Sequence, residues 1–201
     1  MADIRNNRVH DNNFGICVVG TDHRVRNNVT EANLLSGILI QQTTGGEVAS
    51  NTTRNNGQAG ISAFLCAGPP TIHHNLSSGN HLDGIFVQEC AAVVRNNTVR
   101  GNGLPNRGIS VLTSTGAVVT HNIVQSSDVG VLVLNATNGT VSFNSISFNK
   151  VGIDLKTSDG FTLTRNSVSR STTVDCRWDG SGTQTFLNNS CRTEIPPGAW
   201  D

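Results

Sequence analysis

The sequence is poor in charged and in aromatic residues, and each shortage excludes a class of protein. Charged residues make up 14% of the 201 residues, the formal net charge is zero, and only two residues are lysine. A nucleic-acid-binding domain carries a basic face, so we expect no nucleic-acid partner. No apolar stretch approaches the length of a membrane span, so we expect no membrane partner either.

Segments that favour a helix are also missing. Ala and Leu are scarce, and Asn, Ser, Thr and Gly interrupt every window in which a helical spacing of apolar residues could develop. The apolar residues instead alternate with period two in short runs, such as Ile38-Leu39-Ile40 and Ile153-Asp154-Leu155. This alternation is typical of a strand with one face in a core and the other face outside.

An asparagine recurs along the whole chain, three residues after an apolar side chain. The nine asparagines are spaced by 21, 23, 24, 22, 25, 22, 22 and 23 residues, and they are Asn7, Asn28, Asn51, Asn75, Asn97, Asn122, Asn144, Asn166 and Asn189. Seven of the repeats also contain a glycine followed by Ile or Val, at Gly15, Gly37, Gly60, Gly84, Gly108, Gly130 and Gly152. A repeat of this length indicates a solenoid, in which each unit buries its apolar face against its neighbours.

These patterns predict an all-β fold, a right-handed parallel β-helix of about nine coils. We expect one domain over residues 1–201, with residues 176–201 forming the last coil and a cap. At a rise of ~4.8 Å per coil the solenoid would be about 40 Å long. The asparagines are expected to stack as a hydrogen-bonded ladder and to adopt the left-handed turn between strands, while the glycines supply a second left-handed corner. A leucine-rich repeat would need a leucine motif, and a propeller blade would need nearly twice the period.

Five cysteines suggest an oxidising compartment. Cys66 and Cys90 lie five residues after the first apolar residue of two consecutive post-glycine strands, so they hold the same place in adjacent coils and can form a disulfide. Cys176 and Cys191 flank the WDGSG loop and could pin the last coil, which leaves Cys17 unpaired. We therefore predict a secreted protein whose signal peptide is absent from this chain. The alternative is a cytoplasmic protein with five reduced thiols.

The first coil has no capping element in the sequence. The chain opens on Met1 and is inside a predicted strand by Ile4. An uncovered sheet end is a template for further strands. We expect the first coil to be covered by a second copy in a homodimer, by residues outside this chain, or by the chain's own tail.

The repeat resembles the parallel β-helix repeat of the pectin-lyase-like superfamily, and the resemblance covers the whole chain. The tail, CRWDGSGTQTFLNNSCRTEIPP from Cys176 to Pro197, is similar to the ends of β-helix proteins from actinobacterial secretomes. The superfamily contains lyases, hydrolases, epimerases and plain binding proteins, so the resemblance implies a fold rather than one activity. It also implies that a polysaccharide or another elongated ligand lies along the outer face of the post-glycine strand, with no cofactor.

That outer face is apolar in the middle coils and charged in the last ones. Its apolar side chains are Leu39, Phe64, Phe86, Leu112, Leu132 and Leu134. Such a stripe would suit the faces of sugar rings or a hydrophobic small molecule, or it could be covered by a partner subunit or a loop. We expect Asp154 to lie above Asp175 and Lys156 above Arg177, either as ordinary ion pairs or as part of the site. The predicted substrate-binding residues are Phe64, Phe86, Gln88, Leu112, Asp154 and Lys156.

The best acid–base candidates lie just before the glycine of the fourth coil. The segment Asn80-His81-Leu82-Asp83-Gly84 resembles the N-x-D-G segment of polygalacturonase-type hydrolases. Stacking places Asp83 beside Arg107, which ends an enlarged loop that begins at Gly103. With His81 as proton partner, these groups could abstract a proton and neutralise the carboxylate of an acidic sugar. The predicted catalytic residues are therefore His81, Asp83 and Arg107; alternatively, Asp83 only caps its turn.

Several family signatures are absent from the sequence. The paired aspartates and the H-G and R-I-K segments of those hydrolases are missing, as are the D-P-H-D motif of alginate epimerases and the acidic calcium cluster of pectate lyases. The histidines lack metal-ligand spacing, so we expect no metal site. The predicted function is a lyase, epimerase or hydrolase acting on a polysaccharide rich in uronic acids. The alternative is a non-catalytic binding or assembly module that uses the apolar stripe, or an enzyme acting on a hydrophobic small molecule there.

Overall fold

The computed structural model describes residues 1–102 and 106–200, and this part of the chain forms a parallel β-helix of nine coils. Each coil contributes one strand to each of three nine-stranded parallel sheets, here called sheets A, B and C in chain order. Among the described residues there is no helix, and so none that could cross a membrane. The prediction of a nine-coil right-handed β-helix is confirmed.

The strands are short because each must end where the chain turns into the next sheet. Sheet A comprises Asp3–Arg5, Arg24–Arg26, Glu47–Ala49, Thr71–His73, Val93–Arg95, Val118–Thr120, Thr140–Ser142, Thr162–Thr164 and Thr185–Leu187. Sheet B comprises Arg8–His10, Val29–Glu31, Thr52–Arg54, Leu76–Ser78, Thr98–Arg100, Ile123–Gln125, Ser145–Ser147, Ser167–Ser169 and Ser190–Cys191. Sheet C comprises Ile16–Val19, Ile38–Gln41, Ile61–Phe64, Ile85–Gln88, Arg107–Leu112, Val129–Leu134, Val151–Lys156, Val174–Trp178 and Glu194–Ile195.

The core is a continuous apolar column inside the solenoid. The alternation read from the sequence places the first and third residues of the post-glycine runs inside, so that Ile38, Ile61 and Ile85 stack in register and are fully buried. Stacking like on like lets each coil bury its apolar side chains against those of the next. The middle residues of the same strands face outward on sheet C.

The predicted asparagine ladder is confirmed from Asn7 to Asn189. Each side-chain amide donates to the Oδ1 atom of the next coil's asparagine, as from Asn75 to Asn97 at 2.9 Å and from Asn97 to Asn122 at 3.0 Å. The same Oδ1 atom accepts the backbone N–H of the asparagine below, as from Asn97 to Asn122 at 2.9 Å. The ladder therefore pairs buried backbone and side-chain groups along one corner of the solenoid.

A second asparagine ladder, which we did not predict, lies at the corner between sheets B and C. Its members follow those of the first ladder by five residues and are Asn12, Asn33, Asn56, Asn80 and Asn102. The next coil has Ser127 in this position, and Asn149 follows it. The five-residue offset was visible in the sequence, and it marks the corner beside which the cavities described below open.

The left-handed residues are not the ones we predicted. At the corner between sheets A and B the residue before each ladder asparagine has a positive φ, for example Asn96 at 54° and Phe143 at 54°. The ladder asparagine itself stays outside the left-handed region. None of the seven repeat glycines has a left-handed φ either.

Those glycines are required because a side chain would not fit there, and not because the backbone needs a left-handed φ. A Cβ atom on Gly108 would lie 2.2 Å from Cγ1 of Val124 and 2.5 Å from the carbonyl oxygen of Gly130. A side chain would therefore force the corner between sheets B and C away from the core.

Both predicted disulfides are present. Cys66 and Cys90 join the third and fourth coils with their Cα atoms 4.6 Å apart, and Cys176 is bonded to Cys191 in the last two coils. Cys17 is exposed and free. Bridges of this size stabilise a fold by about 3 kcal/mol on the loop-entropy model.

The two ends of the solenoid differ. At the C-terminal end Trp200 is 1% exposed and packs on Phe186 at 4.5 Å between ring centroids, and Phe186 in turn contacts Trp178. These rings close the core, as expected of the tail. In the first coil Ile16 is buried, whereas Ile4 is half-buried. Coverage of the first coil by a second copy remains a prediction.

Candidate functional site

A cavity of about 330 Å³ opens on the solenoid where sheet B turns into sheet C. It spans the second to the fifth coil, and its walls are formed by Ser36, Gln58, Ala59, Ser62, Leu82, Asp83, Phe86, Asn106 and Arg107. A cavity of this size, apolar with a few converging polar groups, is typical of a small-molecule or sugar subsite. We call it the Asp83 cavity.

Asp83 and Arg107 are stacked by the backbone, as predicted. The N–H of Gly84 donates to the carbonyl oxygen of Arg107 at 2.9 Å, so the residues before the two glycines lie side by side in adjacent coils. The Arg107 guanidinium comes within 3.9 Å of the Asp83 carboxylate. Asp83 is buried, while about a third of the Arg107 side chain is exposed. Arg107 thus covers the carboxylate from the solvent side.

Burial controls the protonation of Asp83. Desolvation raises the pKa of its carboxyl group from an ordinary value of 3.8 to about 6, although Arg107 and the hydroxyl of Ser110 act in the opposite direction. A carboxyl group of this pKa exchanges protons readily near neutral pH, which suits a general acid or base. The perturbed pKa inside a cavity makes Asp83 a candidate functional residue.

The raised pKa leads to a stability prediction. Between pH ~4 and pH ~6 the folded protein holds a proton that the unfolded chain has released, so Asp83 makes the fold less stable as the pH rises through this window. The change from 3.8 to about 6 corresponds to about 3 kcal/mol. We expect Asp83→Asn to raise the free energy of unfolding by about 2 kcal/mol at pH 7.5, which is less than ~3 kcal/mol because the variant also loses the ion pair with Arg107. At pH 4 we expect Asp83→Asn to have no effect on the free energy of unfolding. Urea unfolding at both pH values measures this; an equal effect at the two values would contradict it.

Of the predicted substrate-binding residues, Phe86 lines the Asp83 cavity. Phe64, Gln88 and Leu112 lie outside it, in register with one another on the adjacent outward column of sheet C. They are half-buried and extend the surface beside the cavity. Ser62, which we did not predict, lies beside Phe86 on the neighbouring strand and is bonded to Ser36 at 3.0 Å between hydroxyl oxygens.

The structure does not bring His81 together with Asp83. The His81 residue is exposed, and its backbone is held by the neighbouring coils, with its N–H donating to Asn56 and its carbonyl accepting from the Asn106 amide. Its ring is not part of the cavity lining. Residues 103–105 of the predicted enlarged loop lie outside the described residues, whereas Asn106 is buried at the edge of the cavity.

A second cavity, of about 340 Å³, continues along sheet C from Arg107 toward the last coils. Its charged lining comprises Arg107, Asp128, Lys150, Asp154, Lys156 and Arg177, four cations and two anions. Both lysines of the chain are in this set. We call it the cationic groove, and since it shares Arg107 with the Asp83 cavity the two form one path along the solenoid.

The predicted register of the last charged residues was wrong. Asp154 pairs with Arg177 and not with Asp175, and Lys156 is not stacked on Arg177. The buried Asp154 carboxylate accepts from Nε of Arg177 at 2.8 Å and lies 2.9 Å from Nζ of Lys156. Asp175 takes the place of the repeat glycine and accepts backbone N–H groups from Ser171 at 3.0 Å and from the tail. The sequence therefore lacked the glycine by which the eighth coil could be aligned with the seventh.

Fold and site together define a parallel β-helix protein with a buried carboxyl group of raised pKa at the end of a cation-lined path. The chain belongs to the right-handed β-helix family, whose model, described as "Right handed beta helix region", matches residues 1–146 and, in an overlapping match, residues 107–194. No curated protein matches the chain.

Several solved structures share this fold. The periplasmic alginate epimerase AlgG is 17% identical with a TM-score of 0.81, and the match covers 92% of this chain and 50% of that one. The A-module of the Azotobacter vinelandii mannuronan C-5 epimerase AlgE4 is 19% identical with a TM-score of 0.73, covering 91% and 57%. A GH87 α-1,3-glucanase from Streptomyces thermodiastaticus is 12% identical with a TM-score of 0.61, covering 99% and 49%. The chain thus spans about half the length of these structures, and the likeness shows the fold alone.

Proposed function

We propose that this protein is an extracytoplasmic enzyme that acts on a polysaccharide containing uronic acids. The observation that carries the proposal is a buried carboxyl group, Asp83, whose pKa is raised to about 6 and which faces Arg107 at the end of the cationic groove. Two disulfides support a location outside the cytoplasm. The solved structures with this fold include mannuronan and alginate epimerases.

The chemistry we propose is removal of the proton from the sugar carbon that bears the carboxylate. Asp83 acts as the general base, and Arg107 neutralises the charge that develops on the substrate carboxylate. A proton that solvent water delivers to the opposite face of that carbon gives the epimer. If instead the bond from the adjacent carbon to the glycosidic oxygen breaks, and water protonates the oxygen that leaves, the product is an unsaturated sugar. Asp154 and Lys156 belong to the groove that binds adjacent uronate units, and Phe86 supports the ring at the reacting subsite.

A panel of polysaccharides tests the proposal. Alginate, polymannuronate, polygalacturonate and glucuronan would be incubated with the protein, with a neutral glucan as the control. Unsaturated products are read by ultraviolet absorbance, epimerisation by solvent-deuterium incorporation in NMR spectra, and hydrolysis by new reducing ends. We expect one uronate polymer to be converted and the glucan to be inert.

The half-buried apolar column of Phe64 and Leu112 favours the second candidate, a non-catalytic binding module. Binding of a uronate polymer without any of the three products would identify this function. If the protein neither converts nor binds any of the polymers, both candidate functions are contradicted.

A further inference from the structure

A third cavity lies at the corner between sheets B and C in the sixth to eighth coils. Its volume is about 710 Å³, and it is lined by Ser126, Ser127, Asp128, Phe148, Asn149, Lys150 and Thr172. It shares Asp128 and Lys150 with the cationic groove, so the pair forms the wall between the two. We call it the corner cavity. Neither the acid–base chemistry of Asp83 nor the cationic groove accounts for it.

The second asparagine ladder breaks at this cavity. Ser127 replaces an asparagine there, and its N–H still donates to Oδ1 of Asn149 at 2.9 Å. Its hydroxyl group, in a residue that is 3% exposed, has no hydrogen-bond partner among the described residues. The side-chain amide nitrogen of Asn102, in the coil below, also lacks one. A buried hydroxyl without a partner costs about 1–3 kcal/mol. The Oγ atom of Ser127 has almost no accessible surface, so the break in the ladder lies behind the wall of the cavity and presents no free group to a ligand.

An aromatic ring stands at the mouth of the cavity. Phe148 is 51% exposed, and the Arg170 guanidinium lies 4.9 Å from its ring centroid. Its φ is 58°, a left-handed conformation that other coils fill at this corner with residues such as Gly101 and Ser126. A phenylalanine is strained there by about 1 kcal/mol. Packing in the core does not explain this side chain, because it projects to the surface.

The remaining lining is polar and carries no net charge. Lys150 and Asp128 form an ion pair at 3.4 Å, and Thr172, which neighbours Asn149, adds a hydroxyl group. The corner cavity therefore differs from the cationic groove, whose lining has an excess of cations. The combination of an aromatic face, hydroxyl groups and a carboxylate suits the C–H face and the hydroxyl groups of a neutral sugar ring.

We propose that the corner cavity is a second carbohydrate site, which binds a neutral sugar unit. The ring stacks on Phe148, and vicinal hydroxyl groups bond to the Asp128 carboxylate and to Lys150. A polymer in the cationic groove that carries a neutral branch, or a neutral second chain, would reach this site. The site goes beyond the proposed function, and its binding can be measured independently of any reaction at Asp83.

The test uses the neutral hexasaccharides of glucose, mannose and xylose, with a mannuronate hexasaccharide as competitor. Isothermal titration and saturation-transfer NMR measure binding to the wild-type protein and to the Phe148→Ala, Phe148→Tyr and Ser127→Ala variants. We expect at least one neutral hexasaccharide to bind, Phe148→Ala to weaken it about tenfold, and Phe148→Tyr to retain it. Ser127→Ala should leave binding unchanged, because the Oγ atom of Ser127 lies behind the cavity wall. The mannuronate oligomer should not displace it.

Phe143→Ala is the matched control. Phe143 is also an exposed phenylalanine with a left-handed φ and an arginine, Arg165, near its ring, but it lies at the corner between sheets A and B. We expect Phe143→Ala to bind like the wild type. The proposal is overturned if no neutral hexasaccharide binds, if Phe143→Ala and Phe148→Ala weaken binding equally, or if the uronate oligomer displaces the neutral one.

Discussion

Asp83→Asn is expected to lower kcat on the converted uronate polymer by a factor of roughly 10²–10⁴, the usual contribution of a general base. The amide keeps the shape of the side chain and its place beside Arg107, so substrate binding should change little. Steady-state kinetics on the polymer that the panel identifies, with folding checked by circular dichroism, measures the effect. Because the base must be ionised, kcat/KM of the wild-type enzyme should rise with pH through about 6 and then level off.

Two further variants make the assignment specific. Asp128→Asn replaces an aspartate that lines the cationic groove but not the Asp83 cavity, and it should keep kcat within a few-fold. Arg107→Gln removes the cation that lowers the pKa of Asp83, so the rising limb of the pH profile should move to higher pH. If Asp83→Asn is silent while Asp154 or Lys156 substitutions abolish turnover, the reacting centre lies in the groove and not at Asp83.

Asn97→Ala is expected to lower the free energy of unfolding by about 3–5 kcal/mol, because several buried groups lose their partners together. The Asn97 amide donates to the carbonyl oxygens of Ile72 and Arg95 and to Oδ1 of Asn122, and its own Oδ1 accepts from Asn75. An alanine would leave these groups unpaired in a dry corner. Urea unfolding followed by far-UV circular dichroism measures the loss.

Asn7 provides the matched control for the ladder. It is the first rung, it is exposed, and its side chain donates only to Arg5 and to Asn28. Asn7→Ala should therefore cost about 1 kcal/mol. Equal losses for Asn7→Ala and Asn97→Ala would show that the ladder stabilises the fold through something other than the buried pairs.

The fold was predictable because every coil repeats the same physical constraint. The asparagine interval, the period-two alternation and the equal offsets of Cys66 and Cys90 all depend on stacking like on like, and each was confirmed. The pairing of Asp83 with Arg107 followed from the same stacking. What repeats along the chain is thus readable from the sequence alone.

The errors arose where the repeat changes or where side chains decide the geometry. Asp175 in place of a glycine hid the register of the eighth coil. His81 is exposed and outside the cavity lining, a placement that depends on the local backbone and that the pattern does not specify. The corner cavity also escaped prediction, because one serine in a ladder of asparagines changes a hydrogen-bond network without changing the alternation.

The direction of the hydrogen bonds determines how the solenoid responds to force. In every sheet the backbone hydrogen bonds between strands run along the long axis of the solenoid. Tension applied to the two termini therefore breaks the hydrogen bonds of one coil at a time, starting at an end. Each coil released adds roughly 75 Å of chain, given about 22 residues at the extended length per residue. The Cys66–Cys90 bridge joins residues that are 24 positions apart, so the chain between them cannot be extended while the bridge is intact. The closed loop contains the three strands of the fourth coil, so the bridge makes this coil, which carries Asp83 and Phe86, a segment that tension cannot extend.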